Sequence, residues 1–258
     1  MKEEKITFQN SKGQKLVGVL YNPNSKGRFP IVIYCHGYRS TKESGKVKPL
    51  AEKLTSKNIS LFAFDFSGRG ESDGKFEDTT ITQYIDDLKC AIGHISKLTD
   101  KIGIIGNSLG GLVSLQETAK NKRIKVLALL SPVSYFPTKK KNEFTPKNIK
   151  EWKKKRYTFT KSERFGKMKI NYSYYEDGLK YGNYPVYEDI KIPALIIHGT
   201  NDESVPISYS EKLIKHIKNH KFIALKRADH NYTKKKDFDK VIDETSKFIK
   251  EILKWKFT

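Results

Sequence analysis

The sequence predicts an α/β fold in which a mostly parallel central sheet is flanked by helices, with an N-terminal antiparallel hairpin and an inserted cap. Two continuous apolar runs, at 29–35 and 59–66, have the pattern of strands that are buried on both faces. Segments with helical spacing alternate with such strands, which is typical of parallel sheets with right-handed crossovers. The alternation stops between residues 133 and 188, so an insert is expected there.

The first two segments are predicted to form a β-hairpin. Residues 5–9 and 15–21 are strand-like, and the NSKG sequence at 10–13 has the composition of a turn. The later elements are predicted from hydrophobic spacing. In chain order they are strand 29–35, helix 46–57, strand 59–66, helix 79–98, strand 102–105, helix 109–120, strand 124–130, strand 192–197, helix 208–218, strand 222–225 and helix 238–253.

Residues 133–188 are predicted to form a cap on the rim of a core that comprises residues 1–132 and 189–258. Thr145-Pro146 is a favourable helix start because proline fits the first helical position, so a basic helix is expected over 148–157. That helix, around Trp152, either touches an anionic membrane or is a solvated lid. Six tyrosines between 172 and 187 either line a pocket for an aromatic acid or are half-exposed packing residues.

The composition excludes several classes of protein. The 258 residues suffice for one buried core, and two cysteines cannot build a disulfide framework. No apolar run approaches the roughly eighteen residues of a membrane-spanning helix. Residues 1–5 lack the apolar stretch of a signal peptide, so the cytoplasm is the expected location.

The net charge of +21 comes mainly from lysine, which supplies 43 of the 50 basic residues. Proteins that read phosphates usually cluster arginine, because its planar guanidinium forms two parallel hydrogen bonds with phosphate. Lysine is instead spread over almost every predicted solvent face, and no nucleic-acid partner is expected. The charge indicates either a solvated surface or attraction to an anionic partner, with weak membrane contact through the basic cap as the specific hypothesis.

The GNSLG sequence at 106–110 fits the G-x-S-x-G motif between a predicted strand and a predicted helix. A serine at such a tight turn must adopt a strained backbone, and glycines two residues before and after it leave room for the turn. The hydroxyl of Ser108 then lies near a helix N-terminus, which favours developing negative charge. This context predicts Ser108 as a nucleophile.

A serine nucleophile needs a base that takes its proton and an acid that orients the base. His230, in the loop after the last predicted strand, is the predicted base. Asp202, in the loop after the preceding strand, is the predicted acid, with Glu203 as its alternative. Asp229 is expected to shape the histidine loop. His198 ends a strand ahead of the acid, which is the wrong order for a base.

The developing oxyanion also needs hydrogen-bond donors. The backbone N–H of Leu109, which follows the nucleophile, is one predicted donor. The second is the N–H of Tyr38, in the loop that follows the strand 29–35. The side chain of His36 in the same loop is expected to brace the loop.

Five segments together resemble the α/β-hydrolase superfamily of serine esterases and lipases: HG at 36–37, FDFSGRGESDG at 64–74, GNSLGG at 106–111, HGTNDESVP at 198–206 and ADH at 228–230. They follow the family's order, which also places serine, acid and histidine in this sequence. Within the superfamily the chain is similar to the cinnamoyl and feruloyl esterases and the monoacylglycerol lipases. The resemblance implies a variable cap at 133–188 that selects the substrate.

The predicted function is hydrolysis of carboxylic esters with short to medium or aromatic acyl groups through a Ser108–His230–Asp202 triad and an acyl-enzyme. The substrate is a small-molecule ester, and neither a metal nor an organic cofactor is required. The alternatives on the same triad are a monoacylglycerol lipase or lysophospholipase, a thioesterase and a serine peptidase. A basic non-catalytic binding protein on the same scaffold is the rival from another class.

Overall fold

A computed structural model of the protein describes residues 1–136, 145–162 and 164–254. Residues 137–144 and residue 163 of the predicted cap, together with 255–258, lie outside the described residues. The main sheet has eight strands in the order β1-β2-β4-β3-β5-β6-β9-β10. The strands are β1 Lys2–Gln9, β2 Lys15–Asn22, β3 Ile31–Cys35, β4 Ser60–Phe64, β5 Ile102–Asn107, β6 Ile124–Leu130, β9 Ala194–Gly199 and β10 His220–Leu225, and a separate pair is formed by β7 Tyr157–Ser162 and β8 Gly166–Asn171.

The pairing of the strands confirms the predicted fold class. From β4 to β10 all neighbours in the main sheet are parallel, whereas β1 pairs with β2, and β2 with β4, in antiparallel fashion. All residues of β3, β4 and β5 are buried. This burial on both faces explains why β3 and β4 lie within the continuous apolar runs at 29–35 and 59–66.

Helices cover both faces of the sheet. They are α1 Val47–Thr55, α2 Ile81–Ile95, α3 Leu109–Thr118, α4 Pro146–Lys155, α5 Ser173–Gly178, α6 Ser208–Leu213 and α7 Lys235–Ile252. One apolar cluster joins α2 and α3 to the sheet through Ile31 and Ile33 of β3. The other joins α1 and α7 through Val32 and Tyr34. Alternate residues of one strand therefore supply two cores. No helix in the described ranges has the length and apolarity needed to cross a bilayer.

The longest helix of the first half illustrates how the sequence fixes an element. Thr80 lies before α2 in an extended conformation, and its side chain accepts the N–H of Gln83, which satisfies one of the helix's free donors. Ile81, Leu88 and Ile92 recur at helical spacing, and all three are buried. The predicted helix over 79–98 is therefore present, with ends two to three residues inside the predicted ones.

The described elements between β6 and β9 lie outside the main sheet. Helix α4 begins as expected: the side chain of Thr145 accepts the N–H of Asn148, and proline is the first helical residue. The helix ends at Arg156, whose φ of +64° is left-handed. Trp152 is only 5% exposed, and its indole N–H donates to the carbonyl of Ile170 at 3.2 Å. The indole thus ties α4 to the β7–β8 hairpin.

The strand order positions the loops that matter for chemistry. β5 lies between β3 and β6, and β9 and β10 continue the sheet in the same direction. In a parallel sheet the carboxyl ends of the strands meet at one edge, where side chains from different loops converge. The loops after β3, β5, β9 and β10 therefore share one edge of the sheet.

Candidate active site

Ser108 lies at the turn between β5 and α3, with φ +53° and ψ −117°. This backbone region is sparsely populated by residues with a side chain, so the surrounding structure must hold it. The Ser108 N–H donates to the carbonyl of Leu130 at 2.9 Å. The Ser108 carbonyl accepts the N–H groups of Gly111 and Val133, both at 2.9 Å. Three backbone hydrogen bonds thus fix the strained turn.

The glycines on either side of Ser108 are required by space. A Cβ on Gly110 would lie 2.2 Å from the carbonyl oxygen of Cys35. A Cβ on Gly106 would lie 2.8 Å from the carbonyl oxygen of Gly110. Both contacts involve backbone atoms, which cannot move aside cheaply. Glycine at 110 therefore lets the turn approach β3, and glycine at 106 lets the end of β5 pack against the first turn of α3.

The structure brings the predicted serine, histidine and aspartate together in one row. His230 Nε2 lies 3.0 Å from Ser108 Oγ, and His230 Nδ1 lies 2.6 Å from Asp202 Oδ2. Asp202 follows β9 and its side chain is completely buried, whereas His230 follows β10 and is 18% exposed. A hydroxyl, an imidazole and a buried carboxylate in this order can act as nucleophile, base and orienting acid. Their catalytic roles stay a prediction.

The carboxylate of Asp202 is surrounded by donors. Oδ1 accepts the backbone N–H groups of Ser204 at 2.9 Å and Val205 at 2.8 Å. Burial raises the pKa of this carboxyl, but hydrogen bonds from His198 and His230 outweigh burial and hold the pKa well below its ordinary value. The group is therefore ionised at neutral pH, as an acid that orients a histidine must be.

His198 is the contact that the sequence reasoning missed. Its order excludes it as the base, yet its Nε2 lies 3.1 Å from Asp202 Oδ2, on a ring that is completely buried. The available signal was the four-residue separation of His198 and Asp202 across the turn after a buried strand. Glu203, the alternative acid, is exposed. Asp229 accepts the N–H of Asn231 at 2.9 Å and so shapes the histidine loop.

The two predicted oxyanion donors flank the serine. Leu109 is the first residue of α3, directly after Ser108. On the other side, a Cβ on Gly37 would lie 3.3 Å from Ser108 Cβ, so the loop with Tyr38 runs beside the nucleophile. This proximity is what an oxyanion hole requires, and the role of both N–H groups stays a prediction.

His36 braces the same loop. Its Nε2 accepts the N–H of Phe66 at 3.2 Å, so Nδ1 carries the proton and donates to the carbonyl of Gly37 at 2.8 Å. Burial lowers the pKa of His36 to about 4, so the ring stays neutral at physiological pH. His36 is thus positioned to hold the loop rather than to move a proton.

A buried ion pair ties the loop after β3 to the loop after β4. Lys42 Nζ lies 2.7 Å from Asp65 Oδ2, and the two side chains are 6% and 0% exposed. The other carboxylate oxygen accepts the backbone N–H of Lys42 at 2.7 Å, and Oδ2 also accepts the N–H of Glu71 at 3.1 Å. The carboxylate therefore anchors both loops at the sheet edge.

His216 and His220 are four residues apart, a spacing that metal ligands can have, but they face different partners. His216 Nδ1 lies 3.0 Å from Glu188 Oε1, and His220 Nδ1 lies 2.6 Å from the carbonyl of Ile217. Throughout the part of the chain that the structure describes, no group of three or more His, Cys, Asp or Glu side chains is arranged to hold a metal ion.

Comparison with known proteins gives the family. Residues 28–175 match the family model described as serine aminopeptidase, S33. The chain belongs to the S33 family. Human palmitoyl-protein thioesterase ABHD10, mitochondrial, is 25% identical to this S33 protein over 243 residues, which cover 87% of the chain and 76% of ABHD10.

Solved structures of other hydrolases superpose on this S33 protein. Est1E from Butyrivibrio proteoclasticus, with ferulic acid bound, has a TM-score of 0.84 at 26% identity and covers 96% of this chain and 98% of its own. The α/β hydrolase GrgF from Penicillium has a TM-score of 0.85 at 18% identity and covers 99% and 100%. The S33 protein is therefore a serine hydrolase with the α/β-hydrolase fold, and the resemblance to esterases and lipases is confirmed.

Proposed function

We propose that the protein hydrolyses carboxylic esters of short to medium or aromatic acyl groups, with Ser108 as nucleophile, His230 as base and Asp202 as orienting acid. The observation that carries the proposal is the hydrogen-bonded row from Ser108 Oγ through His230 to Asp202 Oδ2, with separations of 3.0 Å and 2.6 Å. A binding protein without catalytic activity has no need for this arrangement.

The row supports acyl transfer in two steps. His230 Nε2 takes the proton from Ser108 Oγ while Oγ attacks the ester carbonyl, and the N–H groups of Leu109 and Tyr38 stabilise the oxyanion. The imidazolium then gives its proton to the leaving alcohol. Water, activated by His230, attacks the acyl-enzyme and restores Ser108, while Asp202 holds the imidazole in the correct tautomer.

The size of a cavity next to Tyr38 supports short to medium or aromatic acyl groups. The cavity has a volume of about 320 Å³ and lies between Tyr38 and residues of α4, β7 and β8, including Trp152 and Ile170. Pockets for small ligands run from about 300 to 1,000 Å³, so this one is at the small end. We propose that residues 133–188 act as the cap and that this cavity receives the acyl group.

A thioester hydrolase is the second candidate. It is favoured by the similarity to ABHD10, which is a palmitoyl-protein thioesterase. The same serine, histidine and oxyanion donors act on a thioester, because only the leaving group changes from an alcohol to a thiol. A peptidase, as the family description has it, requires the same groups but must protonate a poorer leaving amine.

Hydrolysis of matched substrates tests the proposal. p-Nitrophenyl acetate, butyrate, octanoate and palmitate, an S-acyl thioester and an aminoacyl anilide are compared for the wild type and Ser108→Ala. We expect fastest turnover on butyrate or octanoate and a loss of at least about a thousandfold in Ser108→Ala, with unchanged thermal unfolding. Faster thioester turnover would favour the second candidate. Full activity in Ser108→Ala would overturn the triad assignment.

We also propose a weak contact between the basic cap and anionic lipid. Trp152 of the basic helix is buried, so its ring is unavailable for this contact, whereas the lysines of that helix are exposed. Tyr157 and Phe159, on the β7–β8 hairpin, are 41% and 49% exposed and also line the cavity beside Tyr38, so the lipid contact would lie at the mouth of that cavity. Lys169 Nζ lies 5.1 Å from the first ring centre and Lys167 Nζ lies 4.1 Å from the second. Exposed aromatic rings beside lysines suit an anionic interface.

Vesicle sedimentation with Ser108→Ala tests this contact without turnover. We expect binding to phosphatidylglycerol vesicles but not to phosphatidylcholine vesicles, and weaker binding when Tyr157 and Phe159 are both replaced by serine. The matched control replaces Lys120 and Lys122, which line a separate cleft, by glutamine. Equal loss in both variants, or equal binding to RNA, would show that net charge rather than this face is responsible.

A further inference from the structure

A second histidine contacts the predicted catalytic acid, at the same carboxylate oxygen as His230. His198, near the end of β9, is completely buried. Its Nε2 lies 3.1 Å from Asp202 Oδ2 and 2.9 Å from the carbonyl oxygen of Val205. Its Nδ1 lies 2.7 Å from Ser210 Oγ. Both ring nitrogens therefore have partners in a site closed to solvent.

These partners decide where the proton of His198 lies. A carbonyl oxygen and a carboxylate oxygen accept hydrogen bonds and cannot donate them. Because both face Nε2, this nitrogen carries hydrogen. The hydroxyl of Ser210 can rotate to donate to Nδ1, so both ring nitrogens are satisfied. The Nε2–H of His198 is thus shared between the carbonyl of Val205 at 2.9 Å and Asp202 Oδ2 at 3.1 Å, and His230 is the only other histidine in contact with that carboxylate among the described residues.

With the shared N–H of His198, the carboxylate of Asp202 has four donor groups within hydrogen-bond distance, two at each oxygen. Oδ1 takes the backbone N–H groups of Ser204 and Val205, and Oδ2 takes the two imidazoles. A carboxylate has about four lone-pair sites, so Asp202 is saturated. Without His198, the only donor to Oδ2 in the described part of the chain would be His230. The ring of His230 is partly exposed and has to change its protonation state during turnover.

We infer that His198 is a positioning residue for the proposed reaction: its Nε2–H holds Asp202 Oδ2 in line with His230 Nδ1 and withdraws part of the negative charge of that oxygen. The inference rests on the proposed function, since it gives His198 a role through the acid of the triad. His198 touches neither the substrate nor Ser108. It affects the orientation and the charge of Asp202, which in turn orients His230.

Two effects follow from removing this donor. The carboxylate loses one of the hydrogen bonds that fix its orientation. His230 is then aligned with Ser108 for a smaller part of the time, and kcat falls. The charge on Oδ2 is also less dispersed, so the imidazolium form of His230 is stabilised. The acid limb of the kcat/KM profile then moves to higher pH, because more of the enzyme carries a protonated base at a given pH.

The other titratable groups near Asp202 lie on neighbouring elements. Tyr232 donates from its hydroxyl to the carbonyl of Ile197 at 2.9 Å, and burial raises its pKa further above the working range. Lys46 Nζ lies 5.5 Å from the ring centre of Tyr232, and burial lowers the pKa of Lys46 to about 8. Asp229 shapes the loop of His230. Since Lys46 titrates on the alkaline side, the acid limb is the cleaner readout.

Two substitutions separate positioning from simple packing. His198→Gln keeps an N–H donor near the position of Nε2, whereas His198→Leu fills similar volume without a donor. We expect His198→Leu to lower kcat on p-nitrophenyl butyrate about tenfold or more, with KM within about twofold. The acid limb should rise by about half a pH unit. His198→Gln should keep kcat within about threefold of wild type and leave the acid limb in place.

The outcomes that overturn the inference are specific. A folded His198→Leu with wild-type kcat and acid limb would show that the contact is idle, and equal losses in both variants would show that only the ring's packing matters. If His198→Leu does not fold, Ser210→Ala decides, since it releases the ring at Nδ1. We expect a loss in kcat of about threefold and a shift of the acid limb in the same direction, and no change in either would overturn the inference.

A spectroscopic readout keeps the inference separate from the proposed function. The proton on His230 Nδ1, in its 2.6 Å contact with Asp202, should give a resolved downfield NMR signal. Its titration midpoint should rise in His198→Leu and not in His198→Gln, whether or not any ester is hydrolysed. If the wild type hydrolyses no ester but the midpoint still rises in His198→Leu, the esterase proposal is refuted and the positioning role stands. If the wild type is active but the midpoint does not rise in His198→Leu, the positioning role is refuted and the esterase proposal stands.

Discussion

Replacing Lys42 with methionine tests how much the buried ion pair with Asp65 stabilises the fold. Lys42 Nζ and Asp65 Oδ2 are 2.7 Å apart, and the two side chains are 6% and 0% exposed. Methionine keeps an unbranched side chain but removes the charge, so the Asp65 carboxylate stays buried with only two backbone N–H donors. The 2.8 Å pair of Lys42 with Glu71 is lost as well, but Glu71 is 50% exposed and can be solvated, so the loss comes mainly from Asp65. Breaking a buried pair from one side costs about 3–5 kcal/mol, and the remaining donors favour the lower end, about 3 kcal/mol.

The assay is urea unfolding followed by circular dichroism, with thermal unfolding as a second measurement. A loss of about 3 kcal/mol corresponds to a fall in Tm of about 6–12 °C for a chain of this size. The matched control is Lys221→Met: Lys221 Nζ lies 2.8 Å from Glu244 Oε2, but the side chains are 50% and 27% exposed, so its loss should stay below about 1 kcal/mol. Equal losses in the two variants would refute the reasoning from burial.

Three further predictions concern the site and the turn that carries Ser108. Asp202→Asn should lower kcat about 10⁴-fold while the exposed Glu203→Gln stays near wild type in steady-state kinetics; the opposite ranking would reassign the acid. Hydrogen bonds hold the pKa of Asp202 below its ordinary 3.8. Its contribution to the free energy of unfolding is therefore complete above about pH 4 and is lost as the pH falls further. Lowering the pH should thus reduce the free energy of unfolding of the wild type more than that of Asp202→Asn. Gly110→Ala, with a Cβ 2.2 Å from the carbonyl of Cys35, should lose at least about 2 kcal/mol in urea, whereas Gly93→Ala, in open space on α2, should gain about 0.5–1 kcal/mol; equal effects would contradict the packing argument.

The main sheet could be predicted because its strands are buried on both faces and its helices are buried on one. Both patterns depend only on residues that are close together in the sequence, so they can be recognised without knowing the rest of the structure. Helix ends were less accurate. Helix α6 is Ser208–Leu213, whereas the predicted helix runs to residue 218, because Ile214 and Ile217 continue the apolar spacing after the α-helix ends.

The β7–β8 hairpin could not be predicted, for a physical reason. Alternation normally places apolar residues towards the core and polar residues towards solvent. In β7 the pattern is reversed: Tyr157 and Phe159 are exposed, and Thr158 and Thr160 are the less exposed residues between them. Because lysines surround these residues, the sequence pattern predicts an irregular basic segment and no strand. The contact of His198 with Asp202 was missed because it depends on how the chain turns after β9.

The site's residues are far apart in the chain, and this distance has a consequence for folding. Ser108 and His230 are 122 positions apart, and His230 follows β10, an edge strand that pairs with β9 alone in the main sheet. Contacts of such long range form slowly, because a large loop must close first. During refolding, helical circular dichroism should therefore return before ester turnover does. The return of enzymatic activity would then report the rate at which β10 docks on the sheet, a step that the circular dichroism of the helices does not follow.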